Sequence, residues 1–194
     1  MSTSSPWRAR LRRILTWNTL VVVRRELSQP LAGYPSQFGA EISFRWATVD
    51  DLELFKELRP SKAESFVERL RGGREMAFVS IIDGKFVSYC WYEAERHHDA
   101  GIDYTFEAGP GGVYQWEGWV VPPLRKHGMS KDYMHRMYTH ELPQRGFTHV
   151  LSYYSTDNEA SRAFHAHFDY REVKRLLQIR VLGRYFYFER PPKE

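Results

Sequence analysis

Val120-Val121-Pro122-Pro123-Leu124-Arg125-Lys126-His127-Gly128-Met129-Ser130 joins two different patterns. Before it, Val113 to Val121 reads as a strand. After it, Gly128 to Leu142 reads as a helix, with Met129, Tyr133, Met134, Met137 and Tyr138 at spacings of three and four. Gly128 permits a close backbone approach. The first amides of a helix lack intrahelical acceptors, and the helix dipole adds about half a positive charge there. A strand-to-helix junction of this kind suits a pyrophosphate, and Arg125 can add a charge-assisted contact.

Working outward, Glu41 to Ala47 alternates as a strand. Thr48 is placed to accept from the early amides of a helix carrying Leu52, Leu54, Phe55 and Leu58, which Pro60 stops. Ser61-Lys62-Ala63-Glu64 has the form of a capping box opening a second helix with Phe66, Val67 and Leu70. Met76 to Ile82 and Lys85 to Ala94 flank Asp83-Gly84, a hairpin signal. Residues 95–112 are polar and glycine-rich and read as a mobile loop. Phe147 to Tyr154 reads as a strand and Asp157 to Phe168 as a helix. Tyr170 to Ile179 and Arg184 to Glu189 read as closing strands around Gly183. Hairpins mixed with crossover helices give an α/β (α+β) class with a mixed sheet.

The chain has 194 residues, 42% hydrophobic and 15% aromatic, enough for one compact core without a metal or disulfide staple. The single cysteine, Cys90, lies in an apolar run and reads as a buried thiol, which fits a reducing, cytoplasmic setting. Six arginines and no acid fall in residues 1–25, and without them acids slightly outnumber bases. The basic excess is therefore a local arm, and no nucleic-acid-binding domain is expected. Residues 7–17 read as a basic amphipathic helix, 19–27 as an extra strand and 28–40 as a linker, so that 1–40 is an arm ahead of a domain over 41–194. A packed arm is preferred to a secretory signal, a transit peptide or a membrane-surface helix. No run is long enough to span a bilayer as a helix.

The junction resembles the acyl-CoA pyrophosphate loop of the GNAT superfamily, Val-x-Pro-x-x-Arg-x-x-Gly-x-Gly/Ala, at Val120, Pro122, Arg125 and Gly128, with Ser130 in the last position. Many members also carry Asn-x-x-Ala/Ser-x-x-x-Tyr-x-x-x-Gly-Phe on the helix after the next strand. Here Asn158 and Ser161 match, while His165, Asp169 and Tyr170 replace Tyr, Gly and Phe. The resemblance covers residues 41 to 190 and implies a mostly antiparallel sheet flanked by helices and splayed in the middle. It implies an N-acyltransferase using acetyl-CoA or another acyl-CoA as co-substrate. Trp119, Val120 and Val121 would meet the pantetheine arm. Arg125, Lys126, His127, Gly128, Met129 and Ser130 would hold the diphosphate, with Asn158 orienting donor or helix.

Glu117 is the candidate base for the amine, or else a strand-surface ion-pair partner. His165 stands in the slot of the family's general acid, or else is structural. No metal is expected, because His165 and His167 lie on different helix faces. His97 and His98 read as solvated loop residues. Acidic residues of the 95–112 loop would suit a cationic amine, whether a small molecule or a protein side chain. An acidic acyl carrier protein docking on the arginine-rich arm is the rival donor, a catalytically silent GNAT-like module is the rival class, and a homodimer is an admissible assembly.

Overall fold

The computed structural model describes residues 15–31, 42–125 and 127–193. Its strands are β1 (Leu15–Glu26), β2 (Ser43–Trp46), β3 (Glu75–Ile82), β4 (Lys85–Ala94), β5 (Arg96–Asp99), β6 (Tyr104–Glu107), β7 (Gly112–Val120), β8 (His149–Ser155), β9 (Arg171–Val181) and β10 (Arg184–Arg190). Its helices are α1 (Leu52–Leu58), α2 (Ala63–Arg71), α3 (Met129–Arg136) and α4 (Glu159–His167). The sheet is large, mostly antiparallel and flanked by helices, the α/β class read from the sequence. Contacts divide the chain into two units, one of residues 26–97 and 106–150, the other of 1–25, 98–105 and 151–194.

In the first unit the strand order is β7-β4-β3-β2. Asp83 and Gly84, both at positive φ, make the tight β3–β4 turn that their sequence announces. On one face, Phe55 of α1 and Phe66 of α2 pack on Ala77, Val79, Tyr89 and Trp91. Phe66 meets Tyr89 and Trp91 with ring centroids 5.0 and 5.3 Å apart. On the other face, Tyr133 of α3 bonds the Phe78 carbonyl and Tyr138 bonds Gln115 Oε1. Cys90 is buried, its thiol pushed up to about 12 by desolvation, so it is an inert core group.

Both expected helix caps are corrected. Asp51, not Thr48, precedes α1, and its carboxylate accepts from the Thr48 amide and from both Arg45 nitrogens at 2.6–2.7 Å. Lys62, not Ser61, is the residue before α2, and no side chain caps that end. Ala63, Phe66 and Val67 dock on the core, and Ala63 and Glu64 of the expected capping box already lie inside α2. The expected mobile loop 95–112 contains a ribbon, β5 with β6. Its polar residues alternate with buried His97 and Phe106, so it is a half-buried strand pattern hidden by composition. After α3 the helix widens to a π-type stretch, Met137–Glu141, before a last turn Leu142–Gln144 containing Pro143, which has no N–H to donate.

In the second unit the order is β10-β9-β1-β8. Strand β1 pairs with β9 antiparallel from Leu15↔Val181 to Arg24↔Arg171. On its other side the Thr156 amide bonds the Thr19 carbonyl at 3.0 Å. Leu20, Val21, Val22 and Val23 are buried in consequence. Leu15, Thr16 and Trp17, expected in the helix over 7–17, are in this strand, where their pairing with β9 satisfies their backbone; residues 7–14 lie outside the described residues. Most of the 28–40 linker and Lys126 also lie outside them. Among the described residues no helix is long and apolar enough to cross a membrane.

Candidate active site

The exit of β7 is shaped by a bulge. Tyr89 pairs with Trp119 and Trp91 with Trp116, so Glu117 and Gly118 oppose Cys90 alone. Glu117 takes φ 47°, a left-handed conformation that non-glycine residues rarely adopt. The Val121 amide bonds the Val87 carbonyl, ending the pairing with β4. Pro122–Leu124 then form a 3-10 turn whose bonds run from Leu124 to Val121 and from Arg125 to Pro122.

Gly128, at φ 85°, swings the chain into α3. The first intrahelical bonds run from the Lys131 and Asp132 amides to the Gly128 carbonyl. Among the described residues, no acceptor meets the amides of His127, Gly128, Met129 or Ser130, and no side chain caps this end. Met129 is buried and anchors the turn, while His127 is exposed. The result is a row of outward donors at a helix N-terminus, an arrangement chemically suited to a dianion.

Arg125 does not extend toward that row. Its Nε donates to the Val120 carbonyl at 2.9 Å, and its guanidinium lies 5.6 Å from the Trp119 ring centroid. Arg59 lies over the same ring at 4.9 Å. Two of the backbone groups expected to meet a donor's arm, the Val120 carbonyl and the Val121 amide, are thus already bonded.

Glu117 is half-buried and doubly paired. Lys62 Nζ bonds one carboxylate oxygen, and Arg69 Nη1 bonds the other at 2.8 Å. Burial alone would raise its pKa, but these two cations outweigh it and hold the group below the usual carboxylate range. Lys62 and Arg69 are seven residues apart, two helical turns, which puts them on one side of the α2 region. That spacing was legible in the sequence, but their convergence on the β7 bulge was not.

In the other unit, Asn158 precedes α4 and its Oδ1 accepts from the Ser161 amide at 3.0 Å, a helix cap. His165 Nδ1 donates to the Ser161 carbonyl at 2.7 Å. Its ring stacks on Tyr154 and meets Phe164 and Tyr170 edge-on. Nε2 is buried without a hydrogen-bond partner among the described residues. Desolvation takes its pKa down to about 4, so the imidazole is neutral at pH 7. It is a poor general acid in this state, and its enclosure fits the structural alternative.

An unfolded His165 protonates near 6.5 and the folded one near 4, so the unfolded state binds more protons between those values. His165 therefore lowers stability as pH falls from 6.5 to 4, by about 3 kcal/mol in all. Melting temperatures measured across that range should drop, and the drop should shrink in His165→Phe. An equal slope in the variant would assign the effect to other groups.

No family model matches the sequence, and no curated protein does. Solved structures do resemble the fold. Aminoglycoside N-acetyltransferase AAC(6')-Iy in complex with CoA superposes with a TM-score of 0.53 at 19% identity, over 70% of this chain and 91% of that one. A Drosophila protein gives 0.54 at 12% identity over 90% of this chain, and a functionally unknown conserved protein from Staphylococcus epidermidis gives 0.52 at 8% over 97%. The chain has the fold of the GNAT acetyltransferases. It spans 55% of the Drosophila protein and 66% of the staphylococcal one.

The donor row at 127–130 lies between β7 and α3. The partners of Glu117 and the buried His97 are the main features of the first unit that sequence reading missed. Polar composition masked His97, and long-range packing brought Lys62 and Arg69 to Glu117.

Proposed function

We propose that the chain is an N-acyltransferase that moves an acyl group, acetyl in the first instance, from acyl-CoA to an amine by direct attack in a ternary complex. The observation that carries this reading is the row of unbonded amides at His127, Gly128, Met129 and Ser130. The CoA diphosphate would accept from these amides, and the helix dipole would add to its attraction. Arg125, once turned from the Val120 carbonyl, would contribute its charge and free that carbonyl for the pantetheine arm.

The attacking amine must lose a proton, and the departing thiolate must gain one. Glu117 would accept the amine's proton, directly or through water. Because Lys62 and Arg69 hold it ionised, Glu117 is in its basic form throughout the neutral range. It would then set no acidic limb of the rate profile in the neutral range. His165 in its neutral state offers no proton at Nε2, so the thiolate would be protonated by solvent or by the ammonium formed in the attack.

The test is thiol release from acetyl-CoA against a panel of amines. Glu117→Gln should lower turnover by about 100-fold while leaving the acetyl-CoA dissociation constant, measured by titration calorimetry, within about twofold. Absence of calorimetric binding of any acyl-CoA would overturn the donor reading. Saturable acyl-CoA binding with no thiol release from any amine would instead favour a second reading, a catalytically silent GNAT-like module. The ion-paired Glu117 and the neutral, enclosed His165 are the observations behind that alternative. Binding of an acylated carrier protein in place of acyl-CoA would reassign the donor.

A further inference from the structure

Glu75 at the start of β3 and Glu93 near the end of β4 are direct cross-strand partners. Like charges directly opposite each other destabilise a sheet, and this pair is largely enclosed. His97, four residues after Glu93, places Nδ1 2.8 Å from Glu93 Oε2, and both side chains are under 10% exposed. One ligand atom from each of Glu75, Glu93 and His97 lies within 4.8 Å of the other two. Glu75 Oε2 is shut off from solvent and receives no hydrogen bond.

The neighbouring arginines do not fill that need. Arg69 Nε is 3.6 Å from Glu75 Oε2, and Arg69 gives its hydrogen bond to Glu117. Arg74 Nε is 3.8 Å from Glu93 Oε1 on a side chain that is 83% exposed.

We infer that Glu75, Glu93 and His97 form a binding site for a divalent transition-metal ion, zinc in the first instance. Two carboxylate oxygens and one imidazole nitrogen are a borderline-hard donor set that zinc and manganese accept, and three protein ligands leave a position for water. The His97 ring is oriented by stacking on Trp116 at 3.9 Å and on Tyr114 at 4.7 Å, which fixes the direction of its lone pair. Coordination through Nδ1 requires the proton to sit on Nε2, and the ion then replaces the Glu93–His97 hydrogen bond. The sequence reading expected neither a metal nor a buried His97. The backbone register creates the cluster by bringing residues 75 and 93 face to face.

The full chain, dialysed against a chelator, should bind one Zn2+ per chain in titration calorimetry and melt at a higher temperature with the ion than without it. Mg2+ and Ca2+ should bind far more weakly. Co2+ should give visible absorption bands of a low-coordinate site. Glu75→Gln and His97→Gln should each weaken Zn2+ binding by about 100-fold or more, since even the outer partners of metal ligands are worth about 10–100-fold. Glu75 is partly exposed, so its variant should keep the native circular dichroism even if loss of the stacked His97 does not. Lack of saturable Zn2+ binding, equal affinity for Mg2+, or binding unchanged in a folded Glu75→Gln chain would overturn the assignment. None of these readouts depends on acyl transfer, so this inference and the proposed function fail separately.

Discussion

A chain lacking residues 1–25 should not fold. Strand β1 has β9 on one side and β8 on the other, so its removal opens the sheet of its unit in the middle. Leu20, Val21, Val22 and Val23 are 0–3% exposed. At about 1.5–3 kcal/mol for each buried aliphatic side chain, their loss removes roughly 6–12 kcal/mol. That is comparable with the whole stability of a domain, about 5–15 kcal/mol. Arg25 would go as well, and with it the 2.6 Å bond to the Phe168 carbonyl that closes α4. The expected result is an insoluble product, or one without near-ultraviolet dichroism or a cooperative melt. Val22→Asp in the full chain should act in the same direction, because it buries an unpaired carboxylate. A truncated chain that melts cooperatively within a few degrees of the full one would mean that β1 is dispensable.

This outcome bears on the basic segment. Read from composition, residues 1–25 look like an appendage, because the arginines and the absence of acids dominate their appearance. The valine run carries the opposite message. A continuous apolar stretch without alternation marks a strand buried on both faces. Its place beside β9, some 150 residues downstream, is not local information. The same division holds elsewhere. Asp83-Gly84 and the heptad-like spacing of α3 were readable because their cause is local. The start of α1 was misplaced because residues 48–51 form a turn ahead of it, in which the Asp51 carboxylate accepts from the Thr48 amide and from Arg45. The β5–β6 ribbon was misread because its inward-facing His97 and Phe106 sit among mostly charged or polar neighbours. For the candidate site, backbone features were legible and side-chain chemistry was not. Glycine and proline spell out the turn at 121–129, whereas the ionisation of Glu117 and His165 depends on groups and burial that only the fold supplies.

Gly128→Val should cost acyl-CoA binding more than any other single change in the loop. Gly128 sits at φ 85°, where a β-branched side chain is strongly disfavoured. A left-handed residue costs about 1–2 kcal/mol even for ordinary side chains, so the loop should relax to another path. That relaxation would displace the unbonded 127–130 amides. Hydrogen bonds to a charged group are worth about 1.5–3 kcal/mol each, and losing two of them weakens binding by about 100-fold or more. Arg125→Ala, by contrast, removes one exposed charge whose resting partner is the Val120 carbonyl, and about tenfold is expected. Titration calorimetry with acetyl-CoA, supported by dichroism to confirm folding, ranks the two. If Arg125→Ala proves the more damaging, the affinity comes from the side-chain charge, and the backbone donors at the start of α3 are not the diphosphate site.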